Sequence, residues 1–242
     1  MSFFTIDGFN TEHFAHDEHI QQLLQGWKKS IDRYLRNVEK ATGESCCDAP
    51  WWYNERTSIS VLAGAAWINQ WSALEEYSTT KRGAPDENLE KNHRTGRADL
   101  MVQTPDVSFA FEAKQAWQRI GTRTATGPRS KNIFKKKKSA WKDVRELSVQ
   151  EADYRFSATF AAPFFPDSDF EKLLENSGKK PVTAYIKAWY EELHEQLSSQ
   201  TRGRTHYVAA YFPDPESGLV TSTSGFHYPG AVLILEQCQK GN

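Results

Sequence analysis

A carboxylate and an ammonium two residues apart, Glu112 and Lys114, end the apolar run Phe109-Ala110-Phe111, with only Ala113 between them. Side chains two apart on a strand point to the same side of a sheet, so a strand ending here sets the pair side by side over one small site. A carboxylate is a ligand for a hard divalent cation, and an ammonium balances anionic charge. Joined by further acids, the pair therefore suits metal-assisted chemistry on a phosphate ester. Two acids could join it: Asp99, in the stretch GRADLMV, and Glu55, just after Asn54.

The surrounding pattern must position these groups. Ile20, Leu23, Leu24, Trp27, Ile31, Tyr34, Leu35 and Val38 recur at helical spacing, predicting an amphipathic helix over about Asp17 to Ala41. Asn54 is suited to cap a second helix reaching about Gln70, and its apolar stretch Val61 to Trp67 predicts deep burial. Three strands follow: Ala73 to Thr80, Arg97 to Gln103, and Val107 to Lys114 after the turn signal Thr104-Pro105-Asp106. The polar segment Lys81 to Thr95 reads as a long connection, and Gly121 to Arg129 as a loop. A helix over Ser130 to Gln150 and a strand over Arg155 to Ala161 come next. Pro181 opens a further helix, and His206 to Phe212 and Ala231 to Glu236 are late strands. The expected fold is α/β, a mixed central sheet flanked by helices.

The order helix, strand, strand, strand, helix, strand, with Asp99 opening the middle strand and Glu112-Ala113-Lys114 ending the third, resembles the PD-(D/E)XK nuclease superfamily. That resemblance covers about Asn54 to Leu147 and implies a restriction-endonuclease-like αβββαβ core. The proline that precedes the aspartate in that pattern is absent, Ala98 standing in its place. What the resemblance implies is a metal-dependent endo- or exodeoxyribonuclease, with Mg²⁺ or Mn²⁺ held by Asp99, Glu112 and the backbone carbonyl of Ala113. Lys114 would position or deprotonate the attacking water and balance phosphate charge. Glu55 would orient a water at the metal or complete a second metal site, and Gln115 and Gln118 would touch substrate. The rival reading is an inactive nuclease-fold protein that binds nucleic acid or a protein partner in a regulatory or defence role.

From Lys114 to Arg145 the chain carries eleven Lys or Arg against the single acid Asp143, although its net charge is −1. Concentrated positive charge beside a candidate catalytic strand is rewarded by a nucleic-acid backbone through counterion release. Arg129, Lys131, Lys135, Lys136, Lys137, Lys138 and Lys142 are the expected phosphate contacts, with DNA favoured over RNA.

A length of 242 residues suits one large domain or two small ones; no linker divides the chain, and the resemblance implies a single nuclease-like domain. Residues 1–50 would form a helical extension, 54–165 the catalytic core, and 166–242 a helix and strands completing it. A homodimer is an open alternative. Three cysteines, Cys46, Cys47 and Cys238, form no disulfide framework, which points to a reducing cytoplasm. The start MSFFTIDGFN lacks signal-peptide character, and no apolar run is long enough to span a bilayer. His13, His16 and His19 spread over too wide an arc to chelate one ion. The tryptophans read mainly as packing residues.

Overall fold

Residues 3–44, 48–82, 93–121, 129–177, 179–200, 203–213, 220–221 and 225–238 are described by a computed structural model. Cys46 and Cys47 lie outside the described residues, as does most of the Gly121 to Arg129 loop. The elements in order are β1 (Phe3–Phe9), α1 (Asp17–Thr42), a short 3-10 turn (Pro50–Trp52), α2 (Glu55–Ile68), β2 (Ser72–Arg82), β3 (His93–Gln103) and β4 (Ser108–Arg119). Then come α3 (Lys131–Glu146), β5 (Tyr154–Pro166), α4 (Asp167–Ser177), α5 (Lys179–Ser199), β6 (His206–Phe212), β7 (Val220–Thr221), β8 (Phe226–Tyr228) and β9 (Ala231–Cys238). The α/β class is as expected. Among the described residues no helix is long and apolar enough to cross a membrane.

Seven strands form a mixed sheet in the order β1-β6-β9-β5-β4-β3-β2, and the small β7–β8 pair attaches at the end of β5. Strands β4 and β5 run parallel, with α3 as the crossover between them, while the other neighbours are antiparallel. A parallel pair needs such a crossover, because a tight turn cannot return the chain to the same end. Alternation along the central strands separates two cores. Phe109, Phe111, Phe156, Ala158, Leu233 and Leu235 face α1 and α2, packing on Leu23, Trp27 and Leu62. The opposite faces of the same strands meet α3 and α5 through Ile133, Ile186, Trp189 and Leu193. The β3–β4 turn is closed by Thr104, whose hydroxyl accepts the backbone N–H of Asp106 and of Val107.

Strand β3 changes face at Asp99. Leu100 and Val102 belong to the α1/α2 core, yet Ala98 packs with Ala110, Val144 and Leu147 on the α3 side. Opposite Asp99, the β2 residue Glu76 has φ 48°, a left-handed conformation that costs a non-glycine residue free energy. Arg56 of α2 and Arg97 of β3 hold the Glu76 carboxylate at 2.8 and 3.1 Å. This kink turns the far half of the β2–β3 hairpin toward α3.

Several expected boundaries move. Strand β2 continues through Lys81, and β3 starts at His93, so both ends of the supposed connection Lys81 to Thr95 are strand. Pro181 does not open its helix; α5 begins two residues earlier, at Lys179. Strand β1 and helix α4 have no counterpart in the sequence reading. Trp67 is 59 % exposed, against the expected deep burial of its stretch, because Leu62, Ala63, Ala65 and Ala66 occupy the inner face of α2.

Candidate active site

The site is built along an open edge of β4. Strand β3 pairs with β4 as far as Leu100 opposite Phe111, whereas β5 follows the other edge of β4 to Arg119. Past Phe111, side chains therefore take over the backbone groups that a strand would otherwise satisfy. The Ala113 N–H donates to Asp99 Oδ2 at 2.7 Å, and the Gln115 N–H donates to Glu55 Oε2 at 3.0 Å. The Ala113 carbonyl accepts from Lys114 Nζ at 2.8 Å. Asp99, Glu55 and Lys114, far apart in sequence, thus meet on three neighbouring residues of one strand.

Glu55 reaches that edge because it opens α2. Asn54 caps the helix, its side chain accepting the Thr57 N–H at 3.1 Å, which fixes the first turn against β4. Glu55 Oε1 lies 3.8 Å from Lys114 Nζ. Among the described residues no three His, Cys, Asp or Glu side chains are grouped to hold an ion, so Glu55 does not complete a three-carboxylate cage with Asp99 and Glu112. Its oxygens serve the Gln115 amide and the lysine instead.

Glu112 and Lys114 do point to the same side, the α3 side, as strand alternation requires. Glu112 is 2 % exposed. Its Oε1 lies 2.6 Å from Lys81 Nζ at the far end of β2, in a nearly buried ion pair. Burial, reinforced by the negative charge of nearby Asp99, pushes the Glu112 carboxyl up to about 7, against the pull of Lys81 and Lys114. Lys114 is fixed by Asp143 of α3, at 2.9 Å from Oδ2. Burial works to lower the Lys114 pKa, but Asp143, Glu55 and Asp99 together outweigh it and raise it. Lys114 is therefore an ammonium at neutral pH.

Two members of this cluster escaped the sequence reading. Lys81 was assigned to the connection, and Asp143 was counted only as a lone acid among bases. For Lys81 the sequence held no signal, because its approach to Glu112 depends on the length of β2 and on the kink at Glu76. For Asp143 a signal existed: it falls three and four residues from Ala140 and Leu147, beside the buried stripe of α3. Gln115 and Gln118, expected to touch substrate, are engaged internally. Gln115 accepts from Ser58 Oγ at 2.8 Å and donates to the Trp51 carbonyl at 3.0 Å. Gln118 accepts the Asn132 N–H at 2.9 Å in the first turn of α3.

Could these residues hold Mg²⁺ or Mn²⁺? Mg²⁺ keeps several waters and uses one or two carboxylates rather than an all-protein cage. Asp99 and a buried Glu112, close enough for one charge to perturb the other, with the Ala113 carbonyl beside them, fit that mode. Two ammonium groups lie against these ligand atoms, Lys81 at Glu112 and Lys114 at the Ala113 carbonyl.

The basic run of α3 divides by helical geometry. Lys131, Lys135, Lys138, Lys142 and Arg145 are all exposed and recur at alternating steps of four and three, one stripe along the solvent face. Lys136 is half-buried. Lys137 is not a surface residue: it shares the inner stripe with Ile133, Ala140 and Val144, and its Nζ lies 2.7 Å from Glu236 Oε2 of β9, which is 2 % exposed. Arg204 holds the other Glu236 oxygen at 2.8 Å. Arg129 is also withdrawn, pairing with Glu192 of α5 at 2.6 Å and lying over the Tyr185 ring. Of the expected phosphate contacts, Lys137 is thus engaged in a largely buried ion pair and Arg129 in a partly exposed one. Comparison with protein-family models, characterised proteins and solved structures finds no match to this chain.

Proposed function

We propose that this chain is a metal-dependent nuclease of the PD-(D/E)XK type that hydrolyses phosphodiester bonds in DNA. The observation that carries the reading is the convergence of Asp99, Glu55 and Lys114 on the open edge of β4, with Glu112 on the same strand. Bound Mg²⁺ or Mn²⁺ would supply Lewis-acid relief of phosphate charge and a more acidic water. Asp99, Glu112 and the Ala113 carbonyl would hold the ion. Asp143 and Glu55 keep Lys114 protonated and aimed at the same spot, so it acts as a fixed cation for the charge that develops on phosphate. A lysine whose pKa is raised is a poor proton acceptor, which favours the electrostatic role over the basic one.

The test is cleavage of single-stranded, double-stranded and branched DNA, and of RNA, with EDTA, Mg²⁺ or Mn²⁺. Metal-dependent cleavage of DNA that Asp99→Asn removes supports the reading. Binding without cleavage under every condition would instead identify an inactive nuclease-fold protein. Asp99→Asn retains an oxygen to accept the Ala113 N–H, so loss of activity is not loss of that contact.

The exposed stripe of α3 is the proposed track for a phosphate backbone. Replacing Lys131, Lys135, Lys138 and Lys142 together with Gln should weaken DNA binding alike across sequences. It should flatten the slope of log affinity against log salt by about 3, since fewer counterions are released. Lys137→Gln should leave that slope unchanged and cost about 3 kcal/mol of stability, by leaving Glu236 buried with only Arg204. Salt titrations and denaturant melts of both variants check the division. A flattened slope in Lys137→Gln alone would reverse it.

A further inference from the structure

We propose that Lys81 is a resident counter-cation of the site, satisfying on Glu112 the charge that a divalent cation would satisfy and giving way when that cation binds. This rests on the metal-dependent reading above. Glu112 is buried beside Asp99, so its ionised form needs a cation close by. Lys114 is committed to Asp143 and the Ala113 carbonyl, which leaves the compensation of Glu112 to Lys81, 2.6 Å from Oε1. The fold prepares this approach. The Lys81 stem crosses β3 at Gly96, where an added Cβ would stand 2.9 Å from Lys81 Cδ, and the Lys81 backbone bridges to Leu147. The backbone is thus anchored, and the long side chain lies across Gly96 to reach Glu112. The Lys81–Glu112 contact is a short pair between opposite charges, and a cation of higher charge competes for the same oxygen. Metal occupancy would then be coupled to the far end of the β2–β3 hairpin.

Mn²⁺ binding decides the matter without any substrate. Free Mn²⁺ is followed by electron paramagnetic resonance, or heat by titration calorimetry, at pH 8.5 to limit proton competition. Wild type, Lys81→Met and Gly96→Ala are compared. Lys81→Met removes the competitor and should bind Mn²⁺ about tenfold more tightly. Gly96→Ala keeps the lysine but pushes its stem aside, so affinity should rise in the same direction by a smaller factor. It also answers the question if Lys81→Met does not fold. Equal or weaker binding in the variants, including no binding by any of the three proteins, overturns the role of Lys81. Tighter Mn²⁺ binding with no DNA cleavage by wild type would overturn the nuclease reading and leave this one standing. Cleavage with unchanged Mn²⁺ affinity would do the reverse.

Discussion

If the proposed nuclease reading holds, replacing Lys114 with alanine should lower metal-dependent DNA cleavage by about 1,000-fold, the scale seen when a group aimed at developing charge is removed. Binding should change little, because the exposed lysines of α3 supply the sequence-independent attraction and Lys114 is a single, half-buried charge. The loss should not come from misfolding. Asp143 and Glu55 are both partly exposed, and water replaces the ammonium at their carboxylates. Lys114→Arg separates the two chemical roles. A guanidinium is always charged and never accepts a proton at these pH values, so a purely electrostatic Lys114 leaves the arginine variant well above the alanine variant. An arginine variant as inactive as alanine would assign proton abstraction to Lys114 instead. Single-turnover cleavage, with binding measured separately in EDTA, reads both quantities.

That prediction rests on residues visible in the primary structure, and the reasons are local. Alternation alone places Glu112 and Lys114 on one face, and a short turn brings the strand of Asp99 alongside. Both follow from a period of two and from Thr104-Pro105-Asp106. Lys81 is another matter. It lies 31 residues before Glu112 and joins it only because β2 outlasts its apolar pattern and the hairpin twists at Glu76, a backbone conformation that glutamate does not advertise. Lys137 was legible and was misread. Four consecutive lysines look like a solvated patch, yet every helix turns 100° per residue, so one of four neighbours must face inward beside Ile133 and Ala140. Burial there is tolerable because Glu236 arrives from a strand a hundred residues away, which local patterns do not reveal. Strand β1 hid for a similar reason: Asp7 and Gly8 interrupt its apolar run, and its partner β6 lies two hundred residues downstream.

Glu112→Gln should remove about 3 kcal/mol from the difference in stability between pH 4 and pH 8, measured without metal. In the folded protein the carboxyl titrates near 7, against an ordinary value of 4.5, so the native state keeps a proton that the unfolded chain has already released. A raised carboxyl pKa contributes stability that is complete below about 4.5 and is lost as pH rises through about 7, at 1.36 kcal/mol per unit. Wild type should therefore lose stability relative to Glu112→Gln across that window and run parallel to it above. Urea melts of both proteins from pH 4 to pH 8 give the comparison, with other titrating groups cancelling between them. If the two curves run parallel throughout, Glu112 is not the strained carboxylate described above. Excess Mg²⁺ should restore wild-type stability at pH 8 and leave Glu112→Gln nearly unmoved, because a ligand that binds only the folded state stabilises it by mass action.

The pairing of β1 with β6, Phe3 opposite Phe212, bears on how the chain is made. A ribosome releases Phe3–Phe9 well before its partner, because the strand that will receive it emerges about two hundred residues later. At roughly 5–20 residues per second that is an interval of about 10 to 40 seconds, far longer than a hairpin such as β2–β3 needs to form. The segment from α2 to β5 can assemble within that interval, while Phe3, Phe4 and Phe9 lack the strand they pair with. Strand β1 thus has no partner until β6 is made, and it then lies at the rim of the sheet. A nascent chain of this protein therefore carries the phenylalanine-rich segment Phe3–Phe9 without its strand partner while the residues between β1 and β6 are made.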